Sequence, residues 1–400
     1  MKVLQINSVC GYGSTGRIVT DLADILHENG HECLIAYGRG QAPAKYQNCS
    51  VNFGNSWDFR FHVLRTRLLD EHGFGSKNVT QHLLQIIHDF NPDIIHLHNI
   101  HGYYLNIEVL FDYLKNYGKP IVWTLHDCWA FTGHCAYFSA FGCTKWKDHC
   151  MNCKQKYSYP CSIFRDNSKQ NFNRKYHAFT SLSNLTIITP SQWLASIVKK
   201  SFLRNYNIKT IYNGIDLNQF KPTPYNVFSE YGIKQKVILG VANKWEKRKG
   251  LQDFIDLSRI INNDEYKIVL IGLSRRQIKK LPSNILGIER SNSLQELVQY
   301  YSSAYVYVNT SIEETLGLTT AEALACGTPV ITYNKTAVPE VPDESCGIVV
   351  ECMPQNIALV LDRVHYFKKA ACIERAKYFD KKERYLEYLS LYNKINQRIV

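Results

Sequence analysis

A chain of 400 residues, 45% hydrophobic, 20% charged and 12% aromatic, is too long for one ordinary domain and too apolar for a disordered or fibrous one. Its 47 basic and 35 acidic residues leave a formal charge of +12, which favours an anionic partner: nucleic acid, an anionic lipid surface or a phosphorylated small molecule. No stretch approaches the ~18 consecutive apolar residues of a membrane-spanning helix. The opening MKVLQINSVCGYG lacks the sections of a signal peptide and predicts a first strand, so a cytoplasmic location is expected.

VLQINSV (3–9) predicts a strand, followed by a glycine-rich turn and a helix through RIVTDLADILHENG, with ECLIAYG (32–38) as the next strand. After a segment without clear pattern, VTQHLLQIIHDF, DIIHLHN (93–99), LNIEVLFDYLKNYG and PIVWTLHD (120–127) continue the alternation of helix and strand. A cysteine- and aromatic-rich insert (128–161) interrupts it, before a polar helix and the strands LTIITPS (185–191) and IKTIYNG (208–214). The proline-containing LNQFKPTPYN (217–226) reads as a joint. The pattern restarts with strands at KVILGVA (236–242), YKIVLIG (266–272), ILGIE (285–289), YVYVNTS (305–311), PVITY (329–333) and GIVVE (347–351). Strands separated by helical segments predict parallel sheets covered on both faces, hence an α/β chain of two doubly wound, Rossmann-like domains. The expected boundaries are 1–216, a linker at 217–235, a second domain at 236–375, and a C-terminal helix at 376–400 packing back on the first domain.

Gly11, Gly13 and Gly16 give the dinucleotide-binding spacing G-x-G-x-x-G between a strand and a helix. The acidic residue expected after the second strand is absent, and Arg39 stands there. What survives is a helix N-terminus whose N–H groups face an anion, or simply a tight strand-to-helix turn. In VANKWEKRKGL (241–251), Lys244, Lys247, Arg248 and Lys249 form a cationic loop at a strand's carboxyl end, where open α/β sheets bind ligands. Lys247 and Arg248 read as solvated charges. Downstream, Glu314 lies in a loop after a strand, Gly317 begins a helix, and Glu322 sits one to two turns into it. A helix start offers N–H groups to phosphate oxygens, and a carboxylate accepts two hydrogen bonds from a sugar diol. Taken singly, Glu322 is an ordinary exposed helix residue and Glu314 a partner of the helix dipole.

Together these residues resemble the retaining family 4 glycosyltransferases of the GT-B fold, in which two Rossmann-like domains face a central cleft. The resemblance extends to GYGSTGR (11–17), TLHD (124–127), TPSQWLA (189–195), IYNGID (211–216), VPE (338–340) and ALACGTPVI after Glu322. TLHDCWAFTGHC and the cysteines after it look closest to bacterial surface-polysaccharide enzymes of the colanic-acid type. The resemblance implies that Lys244 and Lys249 bind the donor diphosphate, that Glu322 holds the ribose, and that Glu314 contacts the donor near its sugar. Gly317 and Leu318 complete the donor site, with Gly13 and Gly16 approaching from the opposite domain. His126 would sit at the reacting sugar, making His126, Lys249 and Glu314 the catalytic set. Lys244 stands where the family often has Arg and loses the planar fork; Leu316 replaces a usual Phe. The implied reaction proceeds on one face of the sugar with no metal required, using a UDP- or GDP-linked donor. The implied acceptor is a glycan or a polyprenyl-linked glycan, with peripheral contact at the inner membrane face and no nucleic acid.

Six of thirteen cysteines fall between Cys128 and Cys161. Cys135, Cys143, Cys150 and Cys153, ending in C-x2-C, can wrap one structural zinc ion, with Cys128, Cys161, His134 and His149 as substitutes. Two disulfides or free thiols are the alternatives. The interleaved Trp129, Phe131, Tyr137, Phe138, Phe141 and Trp146 are expected to pack the insert. Two other functions compete with glycosyl transfer: a GT-B nucleotide-sugar epimerase, and a basic nucleic-acid-binding protein using the cysteine module. The latter has a weak footprint, with Lys145, Lys147, Lys154 and Lys156 beside Asp148.

Overall fold

The computed structural model describes residues 1–397. The chain divides into two units: Met1–Ile211 joined by the residues from Tyr385 onward, and Tyr212–Arg384.

The first unit carries seven strands: β1 (Lys2–Asn7), β2 (Glu32–Tyr37), β3 (Ser50–Asn52), β4 (Ile94–Leu97), β5 (Ile121–Thr124), β6 (Leu185–Thr189) and β7 (Asn207–Thr210). They pair in the order β3-β2-β1-β4-β5-β6-β7, every ladder parallel. Every residue of β4, β5 and β6 is buried. Helices cover both faces of a parallel sheet, so its strands are continuous apolar runs rather than alternating ones. On one face Leu4, Leu97 and Trp123 pack with Leu83, Ile87 and Phe111, from the helices Lys77–Phe90 and Ile107–Lys115. On the other, Val3, Ile35, Val122 and Ile188 pack with the helix Gly13–Glu28 and with Tyr385, Tyr388 and Tyr392 of the helix Lys381–Asn396. That last helix is tied into the sheet by polar contacts as well. Tyr392 Oη lies 2.6 Å from His96 Nδ1, and Tyr388 Oη lies 3.1 Å from Thr124 Oγ1.

The segment without clear pattern holds β3 and a helix, Ser56–Leu69, whose buried residues are His62 and Thr66. A helix that buries polar groups and exposes apolar ones has none of the usual amphipathic signature.

The second unit has six parallel strands: β8 (Lys236–Val241), β9 (Tyr266–Ile271), β10 (Ile285–Ile288), β11 (Val306–Asn309), β12 (Val330–Tyr333) and β13 (Gly347–Val350), in the order β10-β9-β8-β11-β12-β13. The segment 217–235 belongs to this unit, because Phe220, Val227 and Phe228 are buried in its core. In each unit the strand order reverses once, between β1 and β4 and between β8 and β11. Loops leaving the carboxyl ends of such neighbours diverge and open a crevice for a ligand. The loops that carry Gly11–Gly13, Lys244–Lys249 and Glu314–Gly317 all leave strands at these reversals.

Candidate functional site

In the second unit, the turn Lys247–Lys249 follows β8 and is stitched to the end of β11. Ile312 N donates to Arg248 O at 2.9 Å, and Thr310 Oγ1 donates to Lys249 O at 2.9 Å. Gly250, at φ +73°, permits this approach: a Cβ there would lie 2.4 Å from Thr310 Oγ1. The stitching sets Lys249 Nζ directly against Glu314 Oε1, to which Ser311 Oγ also donates at 3.4 Å. Burial alone would push the Glu314 carboxyl up, but Lys249 and Arg248 outweigh it and hold the group below the ordinary carboxylate range. Arg248, expected as a solvated charge, is not one. Its Nη1 donates to Glu313 O at 3.1 Å and lies 3.9 Å from Glu314 Oε2. A lysine has three N–H donors, so the contact with Glu314 leaves two for an incoming anion.

The helix Leu318–Ala325 begins at Gly317, whose φ of 94° is open only to glycine without strain, and it carries no side-chain cap. Its first N–H groups follow directly on the loop that carries Glu314. Glu322, in the second turn, accepts a hydrogen bond on Oε2 from the buried Tyr301 Oη at 2.9 Å, which fixes the carboxylate. Lys244 does not join this group. Its side chain is 79% exposed with Nζ 3.3 Å from Glu246 Oε1. It borders a cavity of about 490 Å³ at the carboxyl ends of β8 and β9, with Trp245, Ser274, Arg276, Gln277 and Lys280.

The glycine motif of the first unit splits into two roles. Gly11 and Gly16 serve the turn: Gly11 N donates to Gly16 O at 3.0 Å, and a Cβ on Gly11 would meet Pro43 at 2.5 Å. Gly13 starts the helix at φ +65°, with nothing within 4 Å of where its Cβ would be, so this position is open for a ligand to approach the backbone.

His126 follows β5 and heads a chain of hydrogen bonds that sets its tautomer. Gln5 Nε2 donates to Val19 O at 2.9 Å, which turns Gln5 Oε1 toward His98 Nε2 at 3.0 Å. His98 Nε2 is the donor there, so neutral His98 offers Nδ1 as an acceptor to His126 Nε2–H at 3.1 Å. His126 is then protonated on Nε2, with Nδ1 as the ring's acceptor. Burial pushes His126 down to about 4 and His98 well below the ordinary imidazole value, so both stay neutral near pH 7. The neighbouring Asp127 lies 2.9 Å from His101 Nε2; burial raises its carboxyl, but His101 and the Trp129 N–H outweigh that and hold it low.

The insert is packed as expected around Trp129, Phe131, Phe138 and Trp146, all buried in the first unit's core, while Phe141 is exposed. Its anchor is a buried lysine that the sequence does not announce. Lys175 Nζ donates to Trp129 O at 2.8 Å and Thr132 O at 3.0 Å, and burial pushes the amine down to about 7. Cys135, Cys143, Cys150 and Cys153 line one cavity of about 220 Å³ with His134. His134 Nδ1 is 2.5 Å from Asp70 Oδ1. All thirteen cysteines are free thiols, and the Cys135 and Cys153 thiols are hydrogen-bonded to each other. Among the described residues, no three His, Cys, Asp or Glu side chains converge closely enough to hold an ion.

Two doubly wound units with loops at their strand-order reversals define a GT-B architecture. The chain belongs to glycosyltransferase family 4, which it matches over residues 15–219, and residues 235–365 match the glycosyl transferases group 1. A colanic acid biosynthesis glycosyl transferase of Escherichia coli K12, WcaC, itself provisionally assigned, is 29% identical over 234 residues, 54% of this chain and 55% of the relative. The chain spans about half the length of the curated relatives it matches. The fold is shared with sucrose-phosphate synthase of Thermosynechococcus elongatus (TM-score 0.72, 16% identity, 98% of both chains). It is also shared with HepE of Anabaena solved in complex with UDP (TM-score 0.68, 16% identity, 98% of this chain and 100% of that one).

Proposed function

We propose that the chain transfers a sugar, with retention, from a UDP- or GDP-linked donor to a glycan or polyprenyl-linked glycan in surface-polysaccharide synthesis. The observation that carries the proposal is the convergence of Lys249, Glu314 and the uncapped start of the helix Leu318–Ala325 at one strand-order reversal. Breaking a sugar–phosphate bond leaves charge on the diphosphate. An ammonium and helix N–H groups held in place beforehand stabilise that charge without a metal. Glu322, oriented by Tyr301, supplies a carboxylate suited to a ribose diol. Lys244, beside the neighbouring basic cavity, is the second diphosphate contact. His126, at the carboxyl end of β5, is the residue that meets the transferred sugar. The relatives support the same substrate class: HepE was solved with UDP, and WcaC bears a colanic-acid name.

The test is donor turnover with a panel of nucleotide sugars, for the wild type and for Lys249→Ala and Glu322→Ala. Each variant should fold and lose ~10²–10³ in rate, the cost of one preorganised charge contact. Near-normal turnover in both would remove the second unit's site from the reaction.

A further inference from the structure

Three polar side chains of the first unit form a second chain of contacts beside the one that sets His126. Asp127 follows β5, His101 lies in the loop after β4, and Tyr159 belongs to the insert. β4 and β5 are neighbours, and β4 stands at the strand-order reversal, where diverging loops open a crevice. His101, His126 and Asp127 line one small cavity there of about 10 Å³, the space of about one water molecule. Asp127 Oδ1 accepts from Trp129 N at 2.9 Å, which leaves Oδ2 facing His101 Nε2 at 2.9 Å. On the other side of the ring, His101 Nδ1 lies 3.2 Å from Tyr159 Oη.

The contacts order the protons. An ionised carboxylate only accepts, so a His101 proton sits on Nε2 against Asp127, and in the neutral ring Nδ1 is then the acceptor for the Tyr159 O–H. The Tyr159 proton is thereby directed inward, and its oxygen keeps acceptor capacity for a group arriving from outside. His101 is 7% exposed and Tyr159 46% exposed, so the chain has a buried end and an open end. Burial, Tyr103 and Asp127 push the phenol above its ordinary value, and Arg39 opposes them. The hydroxyl therefore stays protonated at rest. Arg39, whose Nε has no hydrogen-bond partner among the described residues, is the cation placed to favour charge that develops on the Tyr159 oxygen.

We propose that Asp127, His101 and Tyr159 form a proton relay for the acceptor: an acceptor hydroxyl binds at Tyr159 Oη and gives up its proton there as the glycosidic bond forms. Such a relay presupposes the glycosyl transfer proposed above. The hydroxyl oxygen uses a lone pair to bond the anomeric carbon, and the sugar–phosphate bond breaks with its electron pair left on the diphosphate. The acceptor proton passes to Tyr159 Oη while the Tyr159 proton passes to His101 Nδ1, so the phenol is restored in the same step. His101 becomes an imidazolium beside the Asp127 carboxylate and returns its proton to solvent after the product leaves. Tyr159 touches the substrate; His101 and Asp127 are positioning residues that act through it. A carboxylate–imidazole pair behind an accessible hydroxyl is the arrangement that turns a neutral side chain into a proton acceptor. Its place suits the task, because Asp127 directly follows His126, the residue assigned to the transferred sugar.

The experiment measures turnover of UDP-glucose, UDP-N-acetylglucosamine and GDP-mannose with water as the acceptor probe, together with UDP and GDP affinities, for the wild type, Tyr159→Phe and Asp127→Asn. Tyr159→Phe keeps the ring and should lose ~10²-fold or more in kcat, with donor KM, nucleotide affinity and thermal stability unchanged. In Asp127→Asn the amide oxygen keeps the Trp129 N–H, so the amide N–H meets His101 Nε2 and moves the ring proton to Nδ1; kcat should fall at least as far. Nitrogen NMR of the imidazoles reads that tautomer without any substrate: His101 should be protonated on Nε2 in the wild type and on Nδ1 in the variant. A Tyr159→Phe variant with normal kcat overturns the proposal, and a simultaneous loss of stability would leave Tyr159 as an anchor of the insert. A wild-type His101 protonated on Nδ1 overturns it as well. A wild type that binds neither UDP nor GDP and turns over no donor overturns the donor reading and the relay together, whereas normal donor turnover that Tyr159→Phe leaves intact overturns the relay alone.

Discussion

Lowering the pH from 7.5 to 5.5 should destabilise the first unit through its buried histidines, and His62 allows the size to be worked out. Its Nε2 accepts from two backbone donors, Gly73 N at 3.2 Å and Gly75 N at 3.3 Å, while Nδ1 meets Ser76 Oγ. A second ring proton would point at two N–H groups with no acceptor, inside a site only 1% exposed. Burial accordingly pushes the imidazole from 6.5 down to about 4. In the unfolded chain the ring takes up a proton near its ordinary value; in the folded chain it does not until about 4. Stability is therefore full above the unfolded value, is lost as pH falls through it, and stops falling near the folded value. Between pH 7.5 and 5.5 the loss from this one group is about 1.3 kcal/mol. Urea unfolding at the two pH values, compared between wild type and His62→Asn, isolates the contribution because the other histidines cancel. The variant should show a drop smaller by that amount. An identical drop in both proteins, or a His62 ring that titrates by NMR near its ordinary value, refutes the reasoning.

Tyr301→Phe removes the hydroxyl that fixes Glu322 and should raise the donor KM by about tenfold or more, the cost of one hydrogen bond to a charged group, with kcat little changed; unchanged KM would detach Tyr301 from the site. Gly272→Ala should cost more than ~3 kcal/mol in urea unfolding, since φ is +98° and a Cβ would lie 1.5 Å from Ala242 O; a variant of wild-type stability would show that the loop after β9 yields freely. Cys153 should be alkylated fastest of the insert thiols near neutral pH, because the Cys135 thiol donates to it and lowers its pKa, and Cys135→Ala should slow the reaction. Mass spectrometry of partly alkylated protein decides this, and preferential labelling of Cys143 would contradict it.

Much of the architecture is determined by local sequence. Strands buried on both faces of a parallel sheet are short uninterrupted apolar runs, such as ILG in β8 and IVW in β5, and the helices between them keep their own period. The residues at the carboxyl ends of those runs were legible for the same reason: a lysine loop after one strand and a glutamate loop after another are local facts. Whether those loops meet is decided only by strand order, which placed β8 beside β11 and so set Lys249 against Glu314. Arg248 shows the limit. From sequence it is one more exposed cation, and only the pairing of Ile312 with its carbonyl turns it toward Glu313 and Glu314. Gln5, His98 and His126 form a chain across 121 residues of sequence because β1, β4 and β5 are neighbours, and periodicity carries no record of which strands adjoin. The helix Ser56–Leu69 reverses the local rule altogether. Its apolar residues point outward because His62, Ser76, Gly73 and Gly75 satisfy one another beneath it, and such long-range satisfaction of buried polar groups exists only in the folded chain.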